Sequence, residues 1–176
     1  MTTVLYLGRF QPFHDGHKSV IKHLLAKYDR IVVAIGSAQY ERILGNPFSY
    51  HERYTMITKV FDSNKRIRII PLPDIDSPRN YVKYSKAVFG NYDLVFTNNP
   101  NTKALFEING DEVVGTKELT HNKKRISGTR IRRLILEDGY FKSMIPWQVY
   151  DYLKEIDAYR IIVNTYLNYH GVDDIV

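Results

Sequence analysis

The chain has 176 residues, of which 44% are hydrophobic and 25% are charged, as is typical of one globular domain with a buried core. It has no cysteine, which excludes disulfide bonds and thiolate metal sites, and no apolar run is long enough to cross a membrane. The net charge of +6 leaves nucleic acid and phosphorylated small molecules open as partners. We therefore predict one cytoplasmic domain over residues 1–176, without a membrane partner and with C-terminal helices from about residue 145.

Five strands are predicted along the chain, and they alternate with helices. The apolar or β-branched runs lie at residues 4–7, 30–35, 66–72, 92–97 and 112–115. Pro71 and Pro73 are expected to end the third of these strands. A strand, a helix and a strand in such short succession require a right-handed crossover, which gives a parallel sheet. The sequence thus predicts an α/β fold in which ligands bind beyond the carboxyl ends of the strands.

The end of the first strand carries the motif Gly-Arg-Phe-Gln-Pro-Phe-His-Asp-Gly-His, residues 8–17. A helix is predicted to begin there, and a helix N-terminus attracts phosphate through its free N–H groups and its dipole. Because residues three apart share a face in the first turn, His14 and His17 can both contact one anion. Arg9 adds a permanent charge, and Gly8 lets the backbone approach a ligand. The motif predicts a phosphate site; a structural cap is the alternative, and the HExxH zinc pattern is absent.

Polar residues also follow the second and third strands. Gly36 and Ser37 end the second strand, and Asp74 comes just after the third. We expect these residues to face a crevice at the carboxyl edge of the sheet. Three roles are open for Asp74: metal ligand, helix cap or acceptor of hydrogen bonds from a substrate. Tyr81, in the first turn of the next helix, either stacks on a flat ring or packs in the core.

A capping box is predicted at Ser49 and Glu52, where a further helix begins. This helix is expected to bury an apolar stripe made of Tyr54, Ile57, Val60 and Phe61.

The positive charge is concentrated in residues 117–133, where basic side chains far outnumber the single acid, Glu118. These side chains are Lys117, Lys123, Lys124, Arg125, Arg130, Arg132 and Arg133. Such a segment can bind nucleic acid or triphosphate, and the Ser-Gly-Thr turn at 127–129 suits a compact anion better. Ser127 is predicted to cap a helix that stops at Gly139, and Arg133 is the candidate for a merely solvated charge.

The last part of the chain is predicted to form two helices, at residues 147–155 and 159–169. In the first of them, Trp147, Val149, Tyr150 and Leu153 are interpreted as packing residues. This end is also rich in tyrosine, which indicates a surface for a partner.

The motif at residues 8–17 resembles the (H/T)xGH signature of the nucleotidylyltransferase superfamily, and the chain resembles the archaeal-type nicotinamide mononucleotide adenylyltransferases. The further matching stretches are Gly-Ser-Ala-Gln at 36–39 with Asn-Pro-Phe at 46–48, Asp-Ile-Asp at 74–76, and Ile-Ser-Gly-Thr-Arg-Ile-Arg at 126–132. Together they cover roughly residues 1–160 in the expected order. The resemblance implies a Rossmann-like, doubly wound parallel sheet with C-terminal helices.

This resemblance implies that the protein joins ATP and nicotinamide mononucleotide to give NAD and pyrophosphate. Catalysis is assigned to His14, His17, Arg9 and Arg132. ATP binding is assigned to Gly8, Arg9, Phe10, Gln11, His14, His17, Ser127, Thr129 and Arg132, and substrate binding to Gly36, Ser37, Asp74, Ile75 and Tyr81. Mg²⁺ is expected to arrive with ATP and not in a dedicated metal site. A homo-oligomer, commonly a hexamer, and no nucleic-acid partner are implied as well.

The chain departs from the resemblance at Gly45, where relatives often carry a basic residue. Arg42 and Arg53 are the two candidates to replace it.

Two other functions are kept open. The first is adenylyl or cytidylyl transfer to another phosphorylated acceptor, such as phosphopantetheine, glycerol phosphate or flavin mononucleotide. The second is a nucleotide- or RNA-binding module that uses the basic segment without turnover.

Overall fold

Our computed structural model describes residues 1–62, 64–115 and 126–170, and it contains a parallel β-sheet. Its strands are β1 (Thr3–Gly8), β2 (Arg30–Gly36), β3 (Ile67–Leu72), β4 (Leu94–Phe96) and β5 (Val113–Val114). The strand order is β3-β2-β1-β4-β5, and every neighbouring pair is parallel. The order reverses between β1 and β4, as in doubly wound sheets. The predicted α/β class and parallel sheet are confirmed.

Seven α-helices occur among the described residues. They are α1 (Asp15–Lys27), α2 (Tyr50–Phe61), α3 (Pro78–Phe89), α4 (Pro100–Ile108), α5 (Gly128–Leu136), α6 (Trp147–Glu155) and α7 (Ala158–His170), and a short 3₁₀ helix spans Lys142–Met144. None of the described helices is both long and apolar enough to span a membrane.

The described residues form two compact units. The first comprises residues 1–8, 19–38 and 64–115, and the second comprises residues 9–18, 39–62 and 126–170. The core of the first unit consists of strand residues and of side chains from α3 and α4, namely Leu5, Leu7, Val32, Ala34, Leu72, Val82, Phe89, Val95 and Phe106. The single-domain organisation stays a prediction.

Of the two prolines predicted to end β3, Pro73 directly follows the strand as expected, but Pro71 does not end it. Pro71 lies inside the strand and pairs in register with Ile35. This is tolerated because β3 is an edge strand, where a missing N–H on the outer side breaks no ladder. Arg66, predicted as the first strand residue, precedes the strand, and its guanidinium donates to the carbonyl oxygens of Asp29 at 2.9 Å and Leu25 at 2.6 Å.

The capping box of α2 is confirmed. The Ser49 hydroxyl accepts from the Glu52 N–H at 3.1 Å, and the Glu52 carboxylate accepts from the Ser49 N–H at 2.7 Å. The predicted apolar stripe is wrong at Tyr54, which is exposed, whereas Arg53 is buried beside it. The Arg53 side chain can be buried because its guanidinium donates hydrogen bonds to the carbonyl oxygens of Ser49 and Arg9. Helical periodicity does not reveal such partners.

The C-terminal helices have the predicted positions, but one packing assignment fails. Val149 and Leu153 of α6 are buried, whereas Trp147 is 67% exposed. Trp147 is the first residue of α6, so its side chain lies beyond the face that packs on α2. Lys59 of α2 lies over the ring of Tyr152, 5.3 Å from its centroid.

Candidate active site

Residues 8–17 are here called the signature loop. They run from the last residue of β1 into the first turn of α1. His14 precedes the helix and His17 lies in its first turn, and the two rings stack with centroids 3.6 Å apart and an interplanar angle of 17°. The His14 N–H donates to Nδ1 of His17 at 3.3 Å, and the His17 N–H donates to Nδ1 of His14 at 3.4 Å. Since both Nδ1 atoms accept, each neutral ring carries its proton on Nε2.

Burial keeps both imidazoles neutral. It lowers the pKa of His14 to about 4, and it also lowers the pKa of His17 well below its ordinary value, with repulsion from His14 as a second cause. At neutral pH the pair therefore offers two Nε2–H donors and no charge. Two such donors on one face are suited to the oxygen atoms of a phosphate.

Aromatic rings support the pair. The Phe10 ring meets His17 edge-on with centroids 4.8 Å apart, and the Phe13 ring lies 5.5 Å from the same imidazole. Both phenylalanines are almost fully buried. The Phe10 ring is occupied by this packing and its backbone has a left-handed φ of 54°, while the predicted contact between Phe10 and ATP stays a prediction.

Gln11 clamps the loop to the Asn-Pro-Phe turn. Its amide nitrogen donates to the Phe48 carbonyl oxygen at 2.8 Å, and its amide oxygen accepts from the Phe48 N–H at 3.0 Å. This role was missed from the sequence, because the two residues are 37 positions apart. The Gln11 side chain therefore orients the loop, and the predicted contact between Gln11 and ATP stays a prediction.

The N-terminus of α5 meets the same loop. Nη1 of Arg132 donates to the Gln11 carbonyl oxygen at 2.7 Å, and Nη2 lies 3.5 Å from Oγ1 of Thr129. The predicted cap is present, since the Ser127 hydroxyl accepts from the Arg130 N–H at 3.3 Å. A Cβ on Gly128 would lie 2.3 Å from the Gln11 carbonyl oxygen, so only glycine allows this approach. The two predicted phosphate sites are thus brought together.

Two positively charged side chains, Arg9 and Arg132, lie near each other at this loop. Burial lowers the pKa of Arg132, and the Arg9 guanidinium lowers it further through repulsion. Arg9 is exposed, and Nη1 of its guanidinium lies 3.6 Å from the position of a Cβ on Gly45. Among the described residues, neither Arg9 nor Arg132 forms an ion pair. Two guanidinium groups without an ion pair among the described residues favour the binding of an anion here.

Arg42 and Arg53, the two candidates to replace a base at Gly45, both bind backbone oxygens. Arg42 donates to the Pro47 carbonyl oxygen at 2.7 Å and forms a bidentate pair with Glu52. Arg53 is fully buried and donates to the carbonyl oxygens of Ser49 and Arg9. Arg42 therefore connects the Asn-Pro-Phe turn to α2, and Arg53 connects the start of α2 to the signature loop.

Within the first unit, the predicted substrate residues at the ends of β2 and β3 lie together. Ser37 follows β2 with a left-handed φ of 50°, and its hydroxyl donates to Oδ2 of Asp74 at 2.7 Å. Gly36 pairs in register with Leu72 at the end of β3. Ile75 is partly exposed beside Asp74.

Tyr81 of α3 belongs to the same neighbourhood. Burial raises the pKa of its phenol to about 12, and the Asp74 carboxylate raises it too. Its ring also packs edge-on against Phe106, at 6.4 Å between centroids. The packing role foreseen for Tyr81 is therefore present, and its stacking on a flat ring of the substrate stays a prediction.

Part of the basic segment lies outside the described residues, namely Lys117, Glu118, Lys123, Lys124 and Arg125. Arg133 is described, and its exposed guanidinium pairs with Glu137 at 2.7 Å on the outside of α5. No group of three or more histidine, aspartate or glutamate side chains that could hold a metal is found in the described part of the chain.

The chain is similar in sequence to known proteins. The cytidylyltransferase-like family model matches residues 5–134, which include the signature loop and most of α5. A nicotinamide-nucleotide adenylyltransferase of Archaeoglobus fulgidus is 38% identical over 162 residues, which cover 88% of this chain and 92% of that protein. The enzyme of the same name from Methanococcus aeolicus is 40% identical over 155 residues, covering 88% of this chain and 89% of that protein.

A solved structure shares the fold. It is a bifunctional NMN adenylyltransferase/ADP ribose pyrophosphatase from Francisella tularensis, crystallised with AMP and a manganese ion, with a TM-score of 0.72 and 22% identity. The match covers 94% of this chain, which spans about half (53%) of the length of that protein. This chain therefore belongs to the cytidylyltransferase-like family, together with the archaeal relatives named nicotinamide-nucleotide adenylyltransferase.

Proposed function

We propose that this protein transfers the adenylyl group of ATP to the 5′-phosphate of nicotinamide mononucleotide and so forms NAD and pyrophosphate. The observation that carries the proposal is the joining of two helix starts at the signature loop. The first presents the Nε2–H groups of His14 and His17, and the second presents Arg132, which is bonded to the Gln11 carbonyl oxygen. The names of the archaeal relatives support the same activity.

The reaction is a direct displacement at phosphorus. An oxygen of the acceptor phosphate attacks the α-phosphorus of ATP, the bond from this phosphorus to the α,β-bridging oxygen breaks, and pyrophosphate leaves with the bonding electrons. The attacking phosphate is already an anion, so no protein base has to remove a proton. Catalysis then depends on alignment and on charge stabilisation in the transition state.

The residues of the site divide this work. His14 and His17 donate hydrogen bonds to the α-phosphate as negative charge grows in the transition state. Arg9 and Arg132 offset the charge of the polyphosphate, and the free N–H groups at the start of α5, with Thr129, hold the β and γ phosphates. Ser127 contributes by capping this helix. Gly8 and the backbones of Phe10 and Gln11 complete the ATP site.

Mg²⁺ enters as part of the substrate, the magnesium complex of ATP. The side chains that face the proposed phosphate site are N–H donors and cations, whereas Mg²⁺ prefers carboxylate, phosphate and water oxygens. The ATP oxygens are therefore its natural ligands, and the protein binds the complex through the outer phosphate oxygens.

The nicotinamide nucleotide is assigned to Gly36, Ser37, Asp74, Ile75 and Tyr81. The hydrogen bond from Ser37 to Asp74 supports this assignment, because it fixes a carboxylate that can accept from a substrate amide or hydroxyl. Phosphopantetheine, glycerol phosphate and flavin mononucleotide are the competing acceptors.

We further propose a cytoplasmic homo-oligomer, commonly a hexamer in proteins that this chain resembles. Tyr159 and Tyr169 of α7 are 54% and 67% exposed and supply amphipathic rings for such an interface. In this proposal the basic residues of α5 bind ATP and not nucleic acid.

The test is a coupled assay of pyrophosphate release, with NAD identified by chromatography, using MgATP and each acceptor in turn. We expect turnover with nicotinamide mononucleotide and little with the three competing acceptors. Turnover with one of those acceptors alone would reassign the substrate. Salt-sensitive RNA binding without any pyrophosphate release would overturn the enzymatic proposal.

A further inference from the structure

Arg53 of α2 is a charged side chain with 0% exposure. Its Nε donates to the Ser49 carbonyl oxygen at 3.0 Å, and its Nη1 donates to the Arg9 carbonyl oxygen at 3.1 Å. Arg9 is 44 positions earlier in the chain and belongs to the signature loop. One guanidinium thus connects the start of α2 to the backbone of the proposed phosphate site.

Such burial needs a reason, because it removes a guanidinium from water at a substantial cost in free energy. An apolar side chain of similar volume often replaces a buried charged group without loss of stability. Filling the space around α2 therefore does not require arginine at this position. The two hydrogen bonds to carbonyl groups are what an apolar side chain cannot supply.

The carbonyl of Arg9 is a sensitive point of the loop. The next residue, Phe10, has a left-handed φ of 54°, a conformation that a bulky residue keeps only when its surroundings enforce it. The backbone at this point determines where the Arg9 side chain leaves the chain. That side chain is exposed and close enough to Arg132 to lower the pKa of its guanidinium.

We infer that Arg53 is a positioning residue for ATP: its planar guanidinium fixes the Arg9 carbonyl and thereby directs the Arg9 side chain toward the triphosphate. The inference rests on the proposed function, since it names a residue that prepares the proposed ATP site. Arg53 acts through Arg9. Lysine cannot reproduce the role in full, because a single ammonium lacks the planar fork that reaches both carbonyl groups.

The test compares Arg53→Met with the wild-type protein in two measurements. The first is the Kd of ATP without acceptor, by titration calorimetry, and the second is kcat/KM for ATP and for the acceptor nucleotide. We expect ATP affinity and kcat/KM for ATP to fall about 10- to 100-fold, as a misplaced binding group produces. The KM of the acceptor should change less than twofold.

A double-mutant cycle with Arg9→Ala separates positioning from general support. If Arg53 acts through Arg9, then Arg53→Met costs less than twofold in ATP affinity once Arg9 is alanine. Met56→Ala is the matched control, because Met56 is also fully buried on α2 and its side chain has no N–H to donate to the Arg9 carbonyl oxygen. Arg53→Lys, which keeps the charge, should recover part of the affinity and serves if the methionine variant does not fold.

Three results would overturn the inference: ATP affinity within twofold of wild type in Arg53→Met, equal losses in the presence and absence of the Arg9 side chain, or full recovery by lysine. The calorimetric readout is independent of turnover. A wild-type protein that binds ATP but forms no NAD would reject the proposed function and still allow the cycle to be completed. A wild-type enzyme that forms NAD, with Arg53→Met unchanged, would reject only the inference.

Discussion

The N-termini of α1 and α5 both present donors at the signature loop, but different groups cap them. At α1 two imidazoles accept each other's backbone N–H groups through Nδ1 and keep Nε2–H for a ligand. At α5 a serine hydroxyl accepts from the helix, and an arginine secures the neighbouring carbonyl oxygen. The first start is neutral and titratable, whereas the second carries a permanent charge. In the proposed reaction this difference assigns transition-state hydrogen bonding to the N-terminus of α1 and charge neutralisation to the N-terminus of α5.

The largest loss of activity is expected from Gly128→Ala, which forces the N-termini of α1 and α5 apart. A methyl group at this position would lie 2.3 Å from the Gln11 carbonyl oxygen, a backbone atom that cannot rotate away. We expect kcat/KM for ATP to fall more than 1000-fold, about 4 kcal/mol of transition-state stabilisation, because both starts lose their alignment. Steady-state kinetics check this, with circular dichroism to confirm that the variant is folded.

Arg133→Gln is the control for α5. It removes an exposed charge on the outside of the helix that pairs only with Glu137 among the described residues, and it should change kcat/KM less than twofold. A loss as large as that of Gly128→Ala would mean that general damage to α5, and not the close approach, controls activity.

His17→Ala tests the neutral start by itself. Removal of one preorganised donor to a transition-state oxygen typically lowers the rate about 100- to 1000-fold. We expect this loss in kcat, with the Kd of ATP changed only a few-fold because the charges of Arg9 and Arg132 remain. Turnover close to wild type would remove His17 from the chemistry.

Acid should destabilise the N-terminus of α1 and leave the N-terminus of α5 unaffected, since serine and arginine do not titrate in the acidic pH range. The pKa of His14 is about 4 in the folded chain and about 6.5 in the unfolded chain, so the unfolded state binds more protons between these values. Stability is therefore present above pH 6.5 and is lost as the pH falls toward 4. The pKa shift of His14 alone lowers the free energy of unfolding by about 2 kcal/mol between pH 7 and pH 5.

Urea unfolding at pH 5, 6 and 7 measures this dependence, and His14→Asn should reduce its slope. An unchanged slope in the variant would show that other groups cause the acid sensitivity.

Gly16→Ala should give a smaller loss than Gly128→Ala or His17→Ala. A Cβ there would lie 3.0 Å from Cε1 and Nδ1 of the His14 ring, so the ring must shift by a few tenths of an ångström and its stacking on His17 weakens. We expect about a tenfold decrease in kcat.

Gly45→Ala is the control for Gly16→Ala. Its new methyl group lies at an ordinary 3.6 Å from the Arg9 guanidinium, and activity within twofold of wild type is expected. Equal losses in both variants would argue against ring displacement as the cause.

Much of the fold follows from local patterns in the sequence. The β1 run, the capping box of α2 and the Ser127 cap were predicted because each depends on residues within a few positions of one another. The exposed Tyr54 and Trp147 were misplaced for the opposite reason. Helical periodicity indicates which residues share a face, but the packing of other elements decides how much of that face is covered.

By itself, the sequence determined that histidines and arginines follow a strand and begin a helix, because strand, turn and cap signals are local. Only the tertiary structure decided how these groups are held. The bonds of Gln11 to Phe48, of Arg132 to Gln11 and of Arg53 to Arg9 join residues 37, 121 and 44 positions apart. No local pattern encodes such partners, since a donor and a carbonyl meet at these distances along the chain only after the elements have packed.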